Sequence, residues 1–350
     1  MKKKCRGDAR CALPGTPDTR CALTGTPDTC CALTDTLDMR CTLFGTPDTR
    51  CALPGTPDTR CGWEAAAEFA GLISEGRRRL SEAGLADSAR DVETLLYAAS
   101  GYSREKNFAH SQDALTGPAK EKFFSYIERR AKREPVQYII GEWEFMGLPF
   151  IVGPDVLIPR PDTECLAEFV IGELGGGASI LDLCTGSGCI AISLAVFLRS
   201  ALITAADISA GALRVAAKNA GLNNVSDRIV FLEGDMFAPL PKGSVFDAIC
   251  ANPPYIPKGE LALLPEDVRA YEPAEALDGG VDGLDFYYAI AAGALGYLNS
   301  GGLLAVEVGA GQAGDVRRIF NEYGLINVRA AKDINGIERV VSARSRAGVG

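Results

Sequence analysis

From residue 179 onward the chain alternates short apolar runs with segments of helical period, and this alternation limits the folds open to it. Ser179-Ile180-Leu181-Asp182-Leu183 reads as a buried strand, and Ile190, Ala191, Leu194, Ala195 and Leu198 then share one helical face. Apolar runs at 202–206, 229–232, 246–251 and 303–308 read as further strands, with a helix over 209–221. Strands separated by amphipathic helices are buried on both faces. That predicts an α/β fold with a mostly parallel sheet covered on both sides. Two last runs, 326–329 and 339–342, flank Asp333-Ile334-Asn335-Gly336 and read as an antiparallel pair.

The preceding part differs. Val92, Leu95, Leu96 and Ala99 lie on one helical face, Ser88 and Asp91 have capping-box spacing, and Gly101 can end the helix. A second helix is expected from Pro118 to Lys132. Residues 62–135 therefore read as a small helical domain. Gln137-Tyr138-Ile139-Ile140-Gly141 and the run 144–152 read as a strand pair within a linker at 136–165. Within it, Ile158-Pro159-Arg160-Pro161-Asp162-Thr163-Glu164 reads as rigid and extended, with helix from Glu164 on, because proline fixes φ and restricts the residue before it. Residues 166–350 hold the alternating pattern.

Residues 11–60 repeat a ten-residue unit five times, beginning Cys11-Ala12-Leu13-Pro14-Gly15-Thr16-Pro17-Asp18-Thr19-Arg20. Each unit has too little apolar surface to offset chain entropy, so 1–61 is expected to be a disordered, dispensable tail. Eight of the 12 cysteines lie there, one opening each unit with Cys5, Cys30 and Cys61 besides, without paired chelating spacing, and no metal is expected. The other four, Cys165, Cys184, Cys189 and Cys250, read as buried thiols of a reducing compartment. No apolar run is long enough to span a membrane, and no signal-peptide core follows Met1, so a cytoplasmic location is expected. The net charge is −9 overall and −11 beyond residue 61, which weighs against a nucleic-acid partner.

Two loops carry the chemistry. Asp182-Leu183-Cys184-Thr185-Gly186-Ser187-Gly188 is a glycine-rich turn after a strand, suited to close backbone approach by a nucleotide-like ligand. Asp207, 19 residues past Gly188, stands where a carboxylate can accept hydrogen bonds from both ribose hydroxyls. The turn lacks the third glycine of a dinucleotide site. Asp235, with Met236 or Phe237, is placed to meet an adenine ring. About 65 residues after the first turn, Asn252-Pro253-Pro254-Tyr255 ends another strand. It offers an amide, fixed carbonyls and a flat ring, groups that suit a planar NH2-bearing acceptor. Together the loops point to S-adenosylmethionine-dependent methylation of an amide or exocyclic amine nitrogen. The single histidine, His110, leaves no Ser-His-Asp triad and no histidine metal site.

Over roughly 62–345 the chain resembles the PrmC/HemK-type methyltransferases, which N5-methylate the glutamine of the Gly-Gly-Gln motif of peptide chain release factors. The resemblance rests on Leu157-Ile158-Pro159-Arg160-Pro161-Asp162-Thr163-Glu164, the turn at 182–188, Asp207 and Asn252-Pro253-Pro254-Tyr255-Ile256-Pro257. It extends to Asp267-Val268-Arg269-Ala270-Tyr271-Glu272-Pro273 and Ala276-Leu277-Asp278-Gly279-Gly280. It implies a Rossmann-like methyltransferase domain, a small N-terminal helical domain and a linking β-hairpin; separately, a monomer is expected. It implies cofactor contacts from Cys184, Thr185, Gly186, Ser187, Gly188, Asp207, Met236 and Asn252. Asn252, Pro253, Pro254 and Tyr255 would hold the glutamine. Two departures stand out: Cys184 occupies a place where glycine is common, and Met236 one where an aromatic is often found. Adenine-N6 methyltransferases share the Asn-Pro-Pro-Tyr loop, and ribosomal-protein glutamine methyltransferases resemble the chain less. A protein that binds the cofactor without turnover is a third reading.

Overall fold

The computed structural model describes residues 62–85, 88–101 and 115–347; the repeat at 1–61 and His110 lie outside them. Helices α1 (Gly62–Glu82), α2 (Ala89–Ser100) and α3 (Gly117–Ala131) pack through one apolar cluster that includes Leu80, Leu95, Phe123 and Ile127. The expected face Val92, Leu95, Leu96 and Ala99 is buried, and Gly101 closes α2 in the left-handed conformation. The capping box is not formed. Ser88 makes no side-chain cap, and Asp91 accepts a 2.7 Å hydrogen bond from Arg130 Nε instead, because a guanidinium is a stronger donor to a carboxylate than the neutral Ser88 backbone N–H that a capping box would use.

The expected strand at 137–141 is a short helix, α4 (Val136–Ile140), between Pro135 and a left-handed Gly141. Its apolar residues carry no period long enough to separate strand from helix. Tertiary contacts decide: Val136, Tyr138 and Ile139 are buried, and Arg129 Nη1 donates to the Ile139 carbonyl at 3.1 Å, satisfying the helix C-terminus. The hairpin is built from the next run alone, β1 (Glu142–Phe145) and β2 (Leu148–Ile151), joined by Met146 and Gly147 at φ 53° and 71°. Both turn residues in the left-handed region give the twist a two-residue hairpin needs. The segment expected to be extended through Thr163 is helical from Pro161, the first residue of α5 (Pro161–Glu173). Proline at the first helical position loses no hydrogen bond, and Asp162 and Glu164 favour the positive helix end.

The sheet comprises β3 (Ser179–Leu183), β4 (Leu202–Asp207), β5 (Ile229–Glu233), β6 (Phe246–Ala251), β7 (Leu298–Glu307), β8 (Ile326–Lys332) and β9 (Glu338–Arg344) in the order β5-β4-β3-β6-β7-β9-β8. The first five strands are parallel and β9 is antiparallel to both its neighbours. Alternate residues face opposite cores. Ile180 joins α5, α6 (Cys189–Phe197) and α7 (Ala210–Leu222), whereas Leu181 and Leu183 join α9 (Asp285–Tyr297) and α10 (Ala313–Glu322). A short α8 (Glu266–Tyr271) precedes α9. Register pairs Leu183 with Ala206 and Ala251, Asp207 with Glu233, and Ala251 with Val306. The residues that follow, Cys184, Asp207, Gly234, Asn252 and Glu307, therefore lie along one carboxyl edge, where open α/β sheets bind ligands.

Candidate active site

The turn after β3 is held from below and from the side. Asp182 is fully buried and accepts the Thr185 hydroxyl at 2.6 Å. Burial pushes its carboxyl up to about 7 against that hydrogen bond. Asp207 Oδ2 accepts the Gly186 N–H at 2.8 Å and Oδ1 the Ser209 N–H at 2.9 Å. Burial raises the Asp207 carboxyl, with these N–H groups working the other way. A carboxylate can accept about four hydrogen bonds, so beside the Gly186, Ser209 and Ile208 N–H groups it keeps capacity for a ligand hydroxyl. Gly188 opens α6 at φ 79°, and a Cβ there would lie 3.0 Å from Ile192 Cδ1 and 3.1 Å from Ala216 Cβ.

Cys184 sits at φ 56° and Met236 at φ 47°, and their sulfurs are 3.9 Å apart. A left-handed backbone explains why glycine suits position 184, and the thiol accepts that strain in exchange for contact with Met236. Phe237 does not share the edge: it stacks on Tyr297 with ring centroids 5.0 Å apart. That leaves Met236 as the residue facing the turn. Asp235 is exposed, in the same loop.

The second loop of this edge follows β6. Pro253 and Pro254 are buried, and Asn252 and Tyr255 are half-buried. Asn252 Nδ2 donates to Thr163 Oγ1 at 3.1 Å. The Tyr255 hydroxyl donates to Glu307 Oε1 at 3.4 Å, and its carbonyl accepts Gln312 Nε2 at 2.9 Å. Ile256 and Asp278 form a parallel bridge, with the Ile256 N–H on the Leu277 carbonyl and the Gly279 N–H on the Ile256 carbonyl. The contact is close enough that a Cβ on Gly279 would meet Tyr255 Cα at 2.7 Å. Only glycine fits there, which gives a physical role to the Asp278-Gly279-Gly280 run.

Segment 158–164 is a junction, and each polar residue fastens a different element. The Ile158 N–H and Arg160 bond Glu272, Asp162 meets Arg339 Nη2 of β9 at 2.7 Å, Thr163 receives Asn252, and Glu164 accepts the Met146 N–H of the hairpin turn at 2.6 Å. Thr163 and Gln312 were not among the expected site residues, and Glu307, at the end of the fifth strand read from sequence, was equally open to touching the site or capping a turn. Thr163 stands in a quoted motif, whereas an isolated Glu or Gln in sequence carries no such signal.

The PrmC N-terminal domain family matches residues 71–141 and the methyltransferase small domain family matches 163–264. A release factor glutamine methyltransferase of Geobacter sulfurreducens is 44% identical over 268 residues, 77% of this chain and 93% of that protein. One of Moorella thermoacetica is 43% identical over 277 residues, 78% of this chain and 97% of that protein.

The chain belongs to the release factor glutamine methyltransferase family.

A solved structure of a release factor-specific protein-(glutamine-N5) methyltransferase from Alicyclobacillus acidocaldarius is 32% identical, covers 57% of this chain and 100% of that one, and has a TM-score of 0.35. Methyltransferases of this family use S-adenosylmethionine. The edge fits such a group: Gly186 and Gly188 take left-handed backbone beside a carboxylate with open acceptor sites. No helix of the described residues is long and apolar enough to cross a membrane.

Proposed function

We propose that this chain transfers a methyl group from S-adenosylmethionine to the side-chain amide nitrogen of the glutamine in the Gly-Gly-Gln motif of peptide chain release factors. The observation that carries this reading is the Asn252 amide at the carboxyl edge, with its N–H spent on Thr163 and its oxygen left to accept. Cys184, Thr185, Gly186, Ser187, Gly188, Asp207, Asp235, Met236 and Asn252 would hold the cofactor. When bound, it supplies an electrophilic methyl group.

An amide nitrogen is a weak nucleophile, because its lone pair is delocalised into the carbonyl. The loop would act by positioning it. Asn252 Oδ1 and the Pro253 carbonyl accept the two amide N–H groups, which turns the nitrogen lone pair toward the methyl. Buried Pro253 and Pro254 stiffen the loop, and the Tyr255 ring packs on the planar amide. Most of the rate gain then comes from orientation and fixed dipoles.

The same loop could grip an exocyclic adenine amine, but the acidic body gives a nucleic-acid backbone little attraction. Tritiated cofactor offered with release factor, with release factor whose motif glutamine is replaced, and with DNA separates the readings. Label is expected in the first alone; label in DNA, or in the glutamine-replaced factor, would contradict the proposal.

A further inference from the structure

Glu307 is a buried carboxyl that the positioning argument above leaves unused. It ends β7 with 1% exposure, and its Oε2 has no hydrogen-bond partner. Such a group is costly unless it does something for its neighbours. Those neighbours are the acceptor loop. Tyr255 donates to Oε1 at 3.4 Å, and the influence of the Thr163 hydroxyl on α5 holds the Glu307 pKa down against its burial. Thr163 is itself 2% exposed and receives Asn252 Nδ2. Glu307, Thr163 and Asn252 thus form one line from the sheet core to the site.

The direction of donation along that line matters. An ionised carboxylate can only accept, so it draws the Thr163 O–H toward itself. Thr163 Oγ1 is then an acceptor for Asn252, which must offer Nδ2. The Asn252 oxygen is left facing outward. If Glu307 carried a proton it could donate to Thr163, whose own O–H would then be free to point at Asn252 and favour the reversed amide. The reversed amide presents N–H groups to an acceptor that also has only N–H groups to give.

We infer that Glu307 and Thr163 are positioning residues of the acceptor site: the buried carboxylate orients the Thr163 hydroxyl, and Thr163 sets which end of the Asn252 amide faces the substrate, while the same carboxylate anchors Tyr255. The inference rests on the amide-acceptor reading above. The titratable and charged groups that act on Glu307, or that it acts on, come from several elements. They are Tyr255 from the loop, Asp162 and Thr163 from α5, Cys165 on α5 and Cys189 on α6, and Arg339 from β9. From α9 the Tyr287 hydroxyl donates to the Glu307 backbone carbonyl at 3.0 Å. Burial raises the Glu307 carboxyl to about 7, so its proton is exchanged in the range where the enzyme can be assayed.

The test uses the full chain with Thr163→Val, Thr163→Ser and Glu307→Gln, measuring kcat and KM for release factor across pH, with cofactor affinity by calorimetry. Thr163→Val is expected to lower kcat by up to about 10²-fold through misorientation, with cofactor affinity within about two-fold of the parent. Thr163→Ser should restore most of that loss. The parent kcat should fall on the acid side of neutrality, and Glu307→Gln should abolish that limb. A Thr163→Val enzyme with the parent kcat, a Thr163→Ser enzyme as impaired as Thr163→Val, or an acid limb that survives Glu307→Gln would overturn the inference. A readout free of turnover accompanies these. With ¹⁵N-asparagine labelling, the Asn252 side-chain NH2 signal should shift with pH near neutrality in the parent and not in Glu307→Gln. If release factor is no substrate but this signal titrates as expected, the functional reading fails and the relay stands; a signal indifferent to pH in the parent sinks the relay.

Discussion

The Asp207 carboxylate accepts the Gly186 backbone N–H at 2.8 Å, tying the end of β4 to the turn after β3. One side chain therefore shapes the glycine turn and still has open acceptor sites for a ligand. Asp207→Ala is expected to weaken S-adenosylmethionine binding by about ten-fold or more, since a charged acceptor contributes roughly 1.5–3 kcal/mol. Calorimetry checks this, with Asp207→Asn as the milder variant. Unchanged affinity in Asp207→Ala would remove the residue from the site.

Gly188 meets two independent demands, a left-handed backbone at φ 79° and close contact with Ile192 and Ala216. Gly188→Ala should cost about 1–2 kcal/mol from the backbone conformation alone, with crowding added. Urea unfolding should show a lower midpoint at unchanged slope. A midpoint equal to the parent would mean that α6 and α7 separate freely at this contact.

How much of this was legible varies with the range of the interaction. The sheet strands could be read because a short continuous apolar run bounded by helical segments is a local property. The glycine turn, Asp207 and the 252–255 loop could each be read as following a strand, and the parallel register is what brings them to one edge. The strand expected at 137–141 is helical because Arg129, ten residues before Ile139, caps its end, and no local pattern records that bond. Glu307 could not be told from a turn-capping residue until Tyr255 and Thr163, far off in sequence, were seen around it. Gln312 likewise gains its role only from the Tyr255 carbonyl it holds.

Stability should depend on pH through the carboxyls beneath the site. Burial lifts Asp182 from 3.8 to about 7 and Glu307 from 4.5 to about 7. Between the unfolded and folded values the native state binds protons that the unfolded chain has released. The linkage slope is then negative, so stability falls as pH rises through that window. The cofactor-free protein should melt higher at about pH 6 than at about pH 8, and Asp182→Asn should flatten the difference. A parent whose melting temperature climbs over this interval would contradict the assignment of these groups as buried and proton-binding.

The Arg160–Glu272 pair joins the 158–164 junction to the segment after α8. The Glu272 side chain is 1% exposed and Arg160 about one-third exposed. Arg160→Ala strands a buried carboxylate, which in a fully buried pair costs roughly 3–5 kcal/mol; partial solvation of Arg160 reduces that to about 1–3 kcal/mol. The double variant Arg160→Ala with Glu272→Gln should recover part of the loss. No recovery would indicate that Arg160 acts through packing instead of charge.

The central claim concerns Asn252, the amide clamp on the acceptor nitrogen. The direct measurement is the single-turnover rate of methyl transfer to release factor by Asn252→Ala at saturating cofactor, with the melting temperature recorded alongside. Losing one preorganised acceptor is expected to cost about 10²–10³ in rate with little change in melting temperature. Asn252→Asp keeps an acceptor but adds charge beside the cofactor site, and should lie between the parent and Asn252→Ala. A folded Asn252→Ala protein that methylates release factor at the parent rate would contradict the account.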